Sequence, residues 1–316
     1  MRVLALVPGG ISDQLQFFPT LTTIKETYPN ANIAIVVEPN AKATYRVSKA
    51  VSEVIPFDYQ AQNSPADWAN LLGIIREREF ELALCASNRW EEGVLLWLSG
   101  IPARVGYGSS STPWLYTSTV AVDKKQSLSS QYQALLQGLA LPSQPPSSIA
   151  LNVPEGDIAW AEEQRNALGL AGSGYVVLYP GLTNQAKNYP ADSWMTIIDD
   201  FQEKQPQLAV VLLETVDSQD TVVSIGRQRP ALKAVTATNL GQVAAILAGA
   251  DLVLSPDGYV SQIAMALQVF TLVLQTATSD ALPAADKESR VLGIRSTTDA
   301  LSDLSPGDVL QKVWGG

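Results

Sequence analysis

Three charged residues lie in loops where their side chains could transfer a proton or stabilise an anion. Asp13 follows a glycine pair in "PGGISDQ", Lys187 lies in "YPGLTNQAKNYP", and Asp257 precedes Gly258 in "SPDGYVSQ". A carboxylate such as Asp13 can take the proton from an attacking hydroxyl group. A cation such as Lys187 can stabilise the charge that develops on a diphosphate as its bond to a sugar breaks.

Each of these residues also has an ordinary structural interpretation. Asp13 could cap the first helix, Lys187 could be a solvated loop residue, and Asp257 with Gly258 is a turn signal. The loop before Asp13 lacks the Lys-Ser/Thr pair of a P-loop and the spaced glycines of a dinucleotide fingerprint. The sequence therefore offers an acid at this turn, either as a cap or as a catalytic group.

Composition limits the chemistry further. The chain has no histidine, so acid–base catalysis must use carboxylates, tyrosine or lysine. It has one cysteine and no Asp-x-Asp triplet, so a hard cation would need scattered carboxylates, and no metal is expected. Cys85 lies in the apolar run "FELALCAS", which predicts a buried structural thiol and a reducing compartment.

Charge is distributed unevenly along the 316 residues. Residues 1–150 carry 11 Lys/Arg and 12 Asp/Glu, whereas residues 151–316 carry 10 and 19, so the net charge of −10 lies almost wholly in the second half. No basic run is present, which argues against a nucleic-acid partner.

Apolar strand-like runs alternate with helical patterns throughout the chain. This alternation predicts an α/β fold with parallel sheets. A Pro- and Ser-rich stretch near residues 140–156 predicts a boundary between two Rossmann-like domains, residues 1–150 and 151–316, with a cleft at the carboxyl ends of the two sheets. No apolar run reaches the roughly 20 residues of a membrane span, and no signal peptide is recognised, so a cytoplasmic location is expected.

Five stretches resemble one family in their order and spacing. They are "ISDQLQFFPTL", "YPNANIAIVVEP", "LSGIPARVGY", "YPGLTNQAKNYPADSW" and "LGQVAAILAGADLVLSPDG". Over nearly its whole length the chain resembles the family 9 glycosyltransferases, the heptosyltransferases of lipopolysaccharide core assembly. The resemblance implies a GT-B fold, with acceptor binding in the first domain and nucleotide-sugar binding in the second, and a last helix that packs back on the first domain.

The resemblance also implies an activity and its residues. The activity is inverting, metal-independent transfer from an ADP-activated heptose to a cell-surface glycan or lipid-linked acceptor, with no cofactor and with peripheral contact at the inner face of the plasma membrane. Asp13 matches the general base and Lys187 the cation on the diphosphate. Asp257, Gly258 and Gln262 match the nucleotide loop.

The nucleotide loop departs from the family pattern. The family's Ser-Gly becomes Gly258-Tyr259, its His becomes Gln262, and Glu214 stands where glycine is usual. Tyr259 is expected to obstruct a phosphate and Glu214 to repel one. A catalytically silent GT-B protein that binds a nucleotide, a glycan or a protein partner is therefore the alternative, and a sugar-nucleotide epimerase is a third, weaker hypothesis.

Several other residues have more than one interpretation. Arg104 in "PARVGY" could order a loop or bind an acceptor, and "SSSTPW" (residues 109–114) could be a plain loop or cover an acceptor. Four tryptophans lie on helical patterns and are predicted to be core residues: Trp68, Trp90, Trp97 and Trp194.

Overall fold

The computed structural model describes residues 1–123, 125–141, 149–170, 172–181, 188–280, 282 and 290–315. The chain divides into two compact units, Met1–Asn152 and Val153–Gly316. Each unit contains one parallel six-stranded sheet with helices in the crossovers. The prediction of two parallel α/β sheets is therefore confirmed.

The first unit has the strand order β3-β2-β1-β4-β5-β6. Its strands are β1 (Arg2–Leu6), β2 (Asn32–Val37), β3 (Glu53–Pro56), β4 (Leu82–Cys85), β5 (Ala103–Tyr107) and β6 (Ser118–Val120). Its helices are α1 (Ile11–Thr27), α2 (Pro65–Glu77), α3 (Trp90–Ser99) and α4 (Leu128–Ala134), with 3-10 turns at Pro39–Val47, Pro113–Leu115 and Leu135–Leu139.

The second unit has the strand order β12-β11-β10-β7-β8-β9. Its strands are β7 (Tyr175–Leu178), β8 (Ala209–Glu214), β9 (Lys233–Thr236), β10 (Leu252–Pro256), β11 (Thr271–Gln275) and β12 (Val291–Arg295). Its helices are α5 (Glu155–Ala167), α6 (Ala191–Lys204), α7 (Gln219–Gln228), α8 (Leu240–Ala248), α9 (Tyr259–Ala266) and α10 (Pro306–Trp314), with a 3-10 turn at Leu301–Asp303.

The central strands form the cores because helices cover both of their faces. β4, β7 and β11 are buried at every residue, as continuous apolar runs predict for parallel strands. Cys85, the last residue of β4, is fully buried as predicted, and burial raises the pKa of its thiol to about 12. The thiol is therefore structural rather than nucleophilic.

The prediction that four tryptophans are core residues is wrong for two of them. Trp194 is fully buried, and Trp68 is partly buried against Phe57. Trp90 and Trp97 on α3 are instead 56% and 53% exposed. The reason is that α3 turns Leu95 and Leu96 toward the sheet, which leaves the tryptophan side of the helix in solvent.

The closing helix α10 packs within the second unit. Val309 is buried in the core of that unit, and the Trp314 ring packs on Phe201 of α6 with its indole N–H donating to Asp200 at 2.7 Å. The expectation that this helix packs back on the first domain stays a prediction. Within the described ranges, no helix is both long enough and apolar enough to cross a membrane.

Candidate functional site

Both sheets reverse their winding direction beside their first strand. In the first sheet, β2 and β3 lie on one side of β1, and β4 lies on the other side. In the second sheet, β8 and β9 lie on one side of β7, and β10 lies on the other side. Ligands of open α/β sheets bind at the carboxyl ends of the strands at such switch points. Asp13 follows β1 and Asp257 follows β10, so two of the predicted residues lie at these edges.

Asp13 lies in the first turn of α1 and folds back over the glycine turn. Its Oδ2 accepts a hydrogen bond from the Gly10 N–H at 2.8 Å. Gly9 has φ +111°, and a Cβ there would lie 2.6 Å from the same oxygen. Asp13 therefore caps α1 as the third residue of the helix, while its half-buried carboxylate stays at the edge of the sheet.

A phenol lies near this carboxylate. Burial raises the pKa of Tyr132, and the negative charge of Asp13 raises it further. Tyr132 also packs edge-on against Phe17 of α1, with ring centroids 5.3 Å apart. The Asp13 carboxylate therefore lies close enough to the Tyr132 hydroxyl group to favour its neutral form.

The side-chain amide of Gln14 stabilises the glycine turn from inside the first unit. Gln14 is fully buried, and its Nε2 donates to the carbonyl oxygens of Val7 at 2.8 Å and Gly9 at 3.2 Å. Its Oε1 accepts from the Tyr45 hydroxyl at 2.7 Å. This network fixes the turn that positions Asp13. It was not predicted, because its only signal in the sequence is a glutamine beside the apolar stripe of a helix.

A second polar group lies at the ends of β2 to β4. Glu38 Oε2 accepts from the Tyr59 N–H at 3.2 Å, and Arg89 donates from Nη1 to the Tyr59 carbonyl at 2.6 Å. Burial raises the pKa of the Glu38 carboxyl, although the Tyr59 N–H opposes the shift. These residues were also missed, and the detectable signal was a charged residue directly after an apolar strand.

A buried carboxyl group lies below this edge at the start of α3. Glu92 is fully buried, and its Oε2 accepts from the Ser87 hydroxyl at 2.6 Å. Its Oε1 has no hydrogen-bond partner within the described part of the chain. Burial raises the pKa of Glu92 to about 7, with the Ser87 bond and the charge of Arg89 lowering it only in part.

Arg104 has the loop-ordering role that was one of its two interpretations. Its guanidinium donates from Nε to the Leu115 carbonyl at 3.0 Å and from Nη1 to the Ile101 carbonyl at 2.5 Å. It thereby ties β5 to the Pro113–Leu115 turn, part of the "SSSTPW" segment. Ser109, in the same segment, donates to Asn88 Oδ1 at 2.9 Å.

In the second unit, Asp257 and Gly258 connect β10 to α9. The Asp257 N–H donates to the Leu274 carbonyl at 2.9 Å, and the Gly258 N–H donates to Ser261 Oγ at 3.1 Å. Gly258 has extended backbone, and a Cβ there would meet no atom of the described residues within 4 Å. As far as those residues go, the start of α9 is therefore open above Gly258.

Tyr259 does not project into this opening. It is 6% exposed, and its hydroxyl donates to Thr215 Oγ1 at 3.2 Å and lies 3.2 Å from the Tyr179 hydroxyl. The expectation that Tyr259 obstructs the loop is therefore wrong, because partners on two other strand ends hold its ring inward. Glu214, which was expected to repel a phosphate, accepts from the Thr236 hydroxyl at 2.9 Å.

Gln262 lies one turn into α9 from Gly258. Its side chain is 9% exposed, and its Oε1 has no hydrogen-bond partner among the described groups. Lys187 belongs to residues 182–187, which lie outside the described residues, so its predicted contact with a diphosphate stays a prediction. Among the residues that the structure describes, no cluster of three or more His, Cys, Asp or Glu side chains could hold a metal ion.

Comparison with known proteins gives one relative that is related over a short stretch. The chain is 29% identical over 84 residues to the "Photosynthetic NDH subunit of subcomplex B 1, chloroplastic" of Arabidopsis thaliana. The match spans 26% of this chain and 18% of that protein, less than a fifth of its length.

Solved structures match the fold over nearly the whole chain. A family 9 glycosyl transferase from Veillonella parvula superimposes with a TM-score of 0.84 at 15% identity, covering 99% of this chain and 96% of that one. The ADP-heptose lps heptosyltransferase II of E. coli superimposes with a TM-score of 0.80 at 20% identity, covering 100% and 98%. At these identities the structures establish the GT-B type of fold.

The family follows from the sequence itself. The model of glycosyltransferase family 9 (heptosyltransferase) matches residues 68–313, which is most of the chain. Three of the five stretches lie within this match, which confirms their resemblance, whereas "ISDQLQFFPTL" and "YPNANIAIVVEP" precede it. The chain therefore belongs to glycosyltransferase family 9, the heptosyltransferase family.

Proposed function

We propose that this protein transfers a sugar from an ADP-sugar, of the ADP-heptose type, to a hydroxyl group of a cell-surface glycan or lipid-linked acceptor. Family membership supports the reaction class, and the E. coli neighbour is named for an ADP-heptose donor. The observation that carries the proposal is the position of Asp13, a half-buried carboxylate on a braced turn at the switch point of the first sheet.

In the proposed reaction, the Asp13 carboxylate takes the proton from the acceptor hydroxyl as that oxygen attacks the anomeric carbon. The bond from this carbon to the diphosphate breaks, and the configuration inverts because attack and departure occur on opposite sides. The bond between Gly10 N–H and Oδ2 orients the carboxylate. A general base of this kind contributes about 10²- to 10⁴-fold to the rate.

The second unit is proposed to hold the nucleotide diphosphate. The open start of α9 at Gly258 presents the positive end of a helix dipole, which favours an anion. Gln262 Oε1 lies one turn away and has no hydrogen-bond partner among the described residues, so it can accept from a ribose hydroxyl or a base amino group. We propose that Lys187 neutralises the leaving diphosphate, that no metal takes part, and that the reaction occurs in the cytoplasm during lipopolysaccharide assembly.

The test combines binding and turnover. Asp13→Asn should keep the cap, because the amide oxygen accepts from the Gly10 N–H, and should leave the ADP-induced rise in melting temperature unchanged. It should lower kcat with an ADP-sugar by about 10²- to 10⁴-fold. Lys187→Ala should weaken ADP binding as well as turnover, because its charge acts in both ground and transition states.

The chain contains a matched control for Asp13. Asp67 caps α2 with the same geometry, its Oδ2 accepting from the Ser64 N–H at 2.8 Å. Asp67→Asn should therefore reproduce any structural effect of the amide without lowering kcat. Equal turnover in wild type, Asp13→Asn and Asp67→Asn would refute the base assignment.

A second candidate is a catalytically silent GT-B protein that binds a protein partner. It is favoured by Gly258-Tyr259 and Gln262 in place of the family residues, and by the name of the Arabidopsis relative as a subunit of a complex. In that case no nucleotide among ADP, UDP, GDP and CMP raises the melting temperature. A rise with ADP alone supports the transferase.

A further inference from the structure

Four hydroxyl-bearing residues lie together at the carboxyl edge of the second sheet. Tyr179 directly follows β7, Thr215 directly follows β8, and Tyr259 begins α9, which follows β10. β7 lies between β8 and β10 in the sheet, so these three residues come from the ends of neighbouring strands. The fourth residue is Ser218, and all four side chains are buried. We call Tyr179, Thr215, Ser218 and Tyr259 the hydroxyl network.

The members of the hydroxyl network bond to one another. The Tyr259 hydroxyl donates to Thr215 Oγ1 at 3.2 Å and lies 3.2 Å from the Tyr179 hydroxyl, and the two rings meet edge to face with centroids 5.9 Å apart. Ser218 Oγ accepts from the Thr215 N–H at 2.9 Å and donates to the Leu213 carbonyl at 3.3 Å. The side chain of Tyr259 is therefore tied, through Thr215 and Ser218, to the backbone of the loop that follows β8.

Burial keeps the two phenols in the form that can donate a hydrogen bond. It raises the pKa of Tyr179 and of Tyr259, and the negative charge of Asp217 raises both further. Both hydroxyl groups therefore stay protonated at neutral pH. Because a buried polar group that loses its partner is destabilised, the network opposes movement of α9 relative to the ends of β7 and β8.

Tyr259 also sets the direction of two groups of the candidate site. It directly follows Gly258, whose N–H donates to Ser261 Oγ at 3.1 Å, and it precedes Gln262 by three residues. Residues three apart are neighbours on the surface of a helix. The rotation of α9 about its axis therefore sets the Tyr259 ring and the Gln262 side chain together.

We propose that Tyr259 and Thr215 are positioning residues, whose hydroxyl groups hold the start of α9 in the orientation that binds the ADP part of the donor. The proposal rests on the proposed function and adds to it two residues that need not touch the ligand. Tyr259 stands where the family pattern has glycine, which has no side chain to form these bonds. The change at this position is then part of a nucleotide site rather than the loss of one.

The test compares ADP binding by calorimetry in matched variants of the full chain. Tyr259→Phe and Thr215→Val each remove one hydroxyl group and should weaken ADP binding by about threefold to tenfold, the effect of one or two neutral hydrogen bonds. Thr215→Ser keeps a hydroxyl group at the same position and should bind ADP like wild type. In turnover, Tyr259→Phe should raise KM for the ADP-sugar with kcat nearly unchanged, because its hydroxyl group does not act on the reacting atoms.

Tyr175→Phe is the matched control within the same unit. Tyr175 is the first residue of β7, at the opposite end of the strand from Tyr179, and it is also buried. Its hydroxyl donates to the Ile246 carbonyl at 2.6 Å. Tyr175→Phe should therefore lower the melting temperature, as Tyr259→Phe does, without weakening ADP binding.

Hydrogen exchange tests the network without nucleotide. In Tyr259→Phe, the amides of residues 215–218 and of the first turn of α9 should exchange faster together, whereas in Tyr175→Phe they should exchange as in wild type. The proposal is overturned if Tyr259→Phe binds ADP like wild type, if Tyr175→Phe weakens binding as much, or if exchange changes in only one of the two segments. If wild type binds no ADP although the two segments are coupled, it is the proposed function that fails.

Discussion

The buried carboxyl group of Glu92 makes the stability of the first unit depend on pH, and Glu92→Gln tests this. The glutamine keeps the shape and an oxygen that can accept from the Ser87 hydroxyl, now 2.6 Å from Oε2. It cannot carry a charge. The substitution therefore separates the cost of burying the negative charge from the packing of the side chain.

The size of the pH-dependent loss of stability follows from the raised pKa of Glu92, which is about 7 in the folded protein against an ordinary value of 4.5. The folded state therefore holds this proton more tightly than the unfolded state. Stability is unaffected below the unfolded pKa, falls as pH rises from about 4.5 to about 7, and levels off above the folded pKa. The full cost of ionisation is about 3 kcal/mol, of which roughly 2 kcal/mol appears between about pH 5.5 and pH 8.

The assay is hydrogen exchange with mass spectrometry on peptides from β4 and α3 across this pH range, after correction for the intrinsic exchange rate. It reports the first unit, which matters because two units need not unfold together. Glu92→Gln should gain stability over wild type as pH rises, whereas Glu91→Gln, at the next and partly exposed position, should remove only the small part of the Glu92 pKa shift that the Glu91 charge contributes. Parallel pH profiles for Glu92→Gln and wild type would refute the reasoning.

Two further predictions concern the two sheet edges, and a third concerns metal ions. Gly9→Ala should lower the stability measured by thermal unfolding by about 1–3 kcal/mol and should lower kcat, because φ is +111° and the new Cβ meets the Asp13 carboxylate. Gly73→Ala is the control: a Cβ at this position on α2 meets no described atom within 4 Å, so the substitution should raise stability by about 0.5–1 kcal/mol in the same assay. Tyr259→Phe should cost about 1 kcal/mol in chemical unfolding, since Thr215 loses a buried hydrogen bond. EDTA should leave transfer unchanged, and loss of activity that Mg²⁺ restores would contradict the proposal of metal-independent transfer.

The central strands could be predicted from the sequence because they are continuous apolar runs. Four strands were not predicted: β5 and the edge strands β6, β9 and β12. They are short or only partly buried, and β12 has no fully buried residue, so their composition does not stand out from a loop. Edge strands are defined by pairing with a neighbour, which the local sequence does not record.

The orientation of α3 shows a second limit. Trp90, Val94 and Trp97 have the spacing of a core-facing stripe, but so do Glu92, Leu95 and Leu96 on the other side. Both stripes are apolar enough to face a sheet, and burial of the larger rings was predicted. A buried glutamate on the true inner face made the error easy, since carboxylates are rarely buried.

The parts of the candidate site that depend only on residues close together in the sequence could be predicted. The cap at Asp13 and the turn at Asp257 with Gly258 follow from local signals. The inward position of Tyr259 does not, because Tyr179 and Thr215 come from distant parts of the chain. The catalytic and nucleotide roles of these residues stay predictions.

The strand orders of the two sheets have a consequence for synthesis. Each sheet draws all six of its strands from one contiguous half of the chain, so no strand waits for a partner from the other half. A nascent chain leaves the ribosome N-terminal end first, and domains generally fold as units in that order. The first sheet has every hydrogen-bonding partner once β6 has emerged, before translation reaches β7. Slowing translation between these strands should therefore leave the yield of folded protein unchanged, whereas a pause between β3 and β4 would expose the apolar edge of an unfinished sheet.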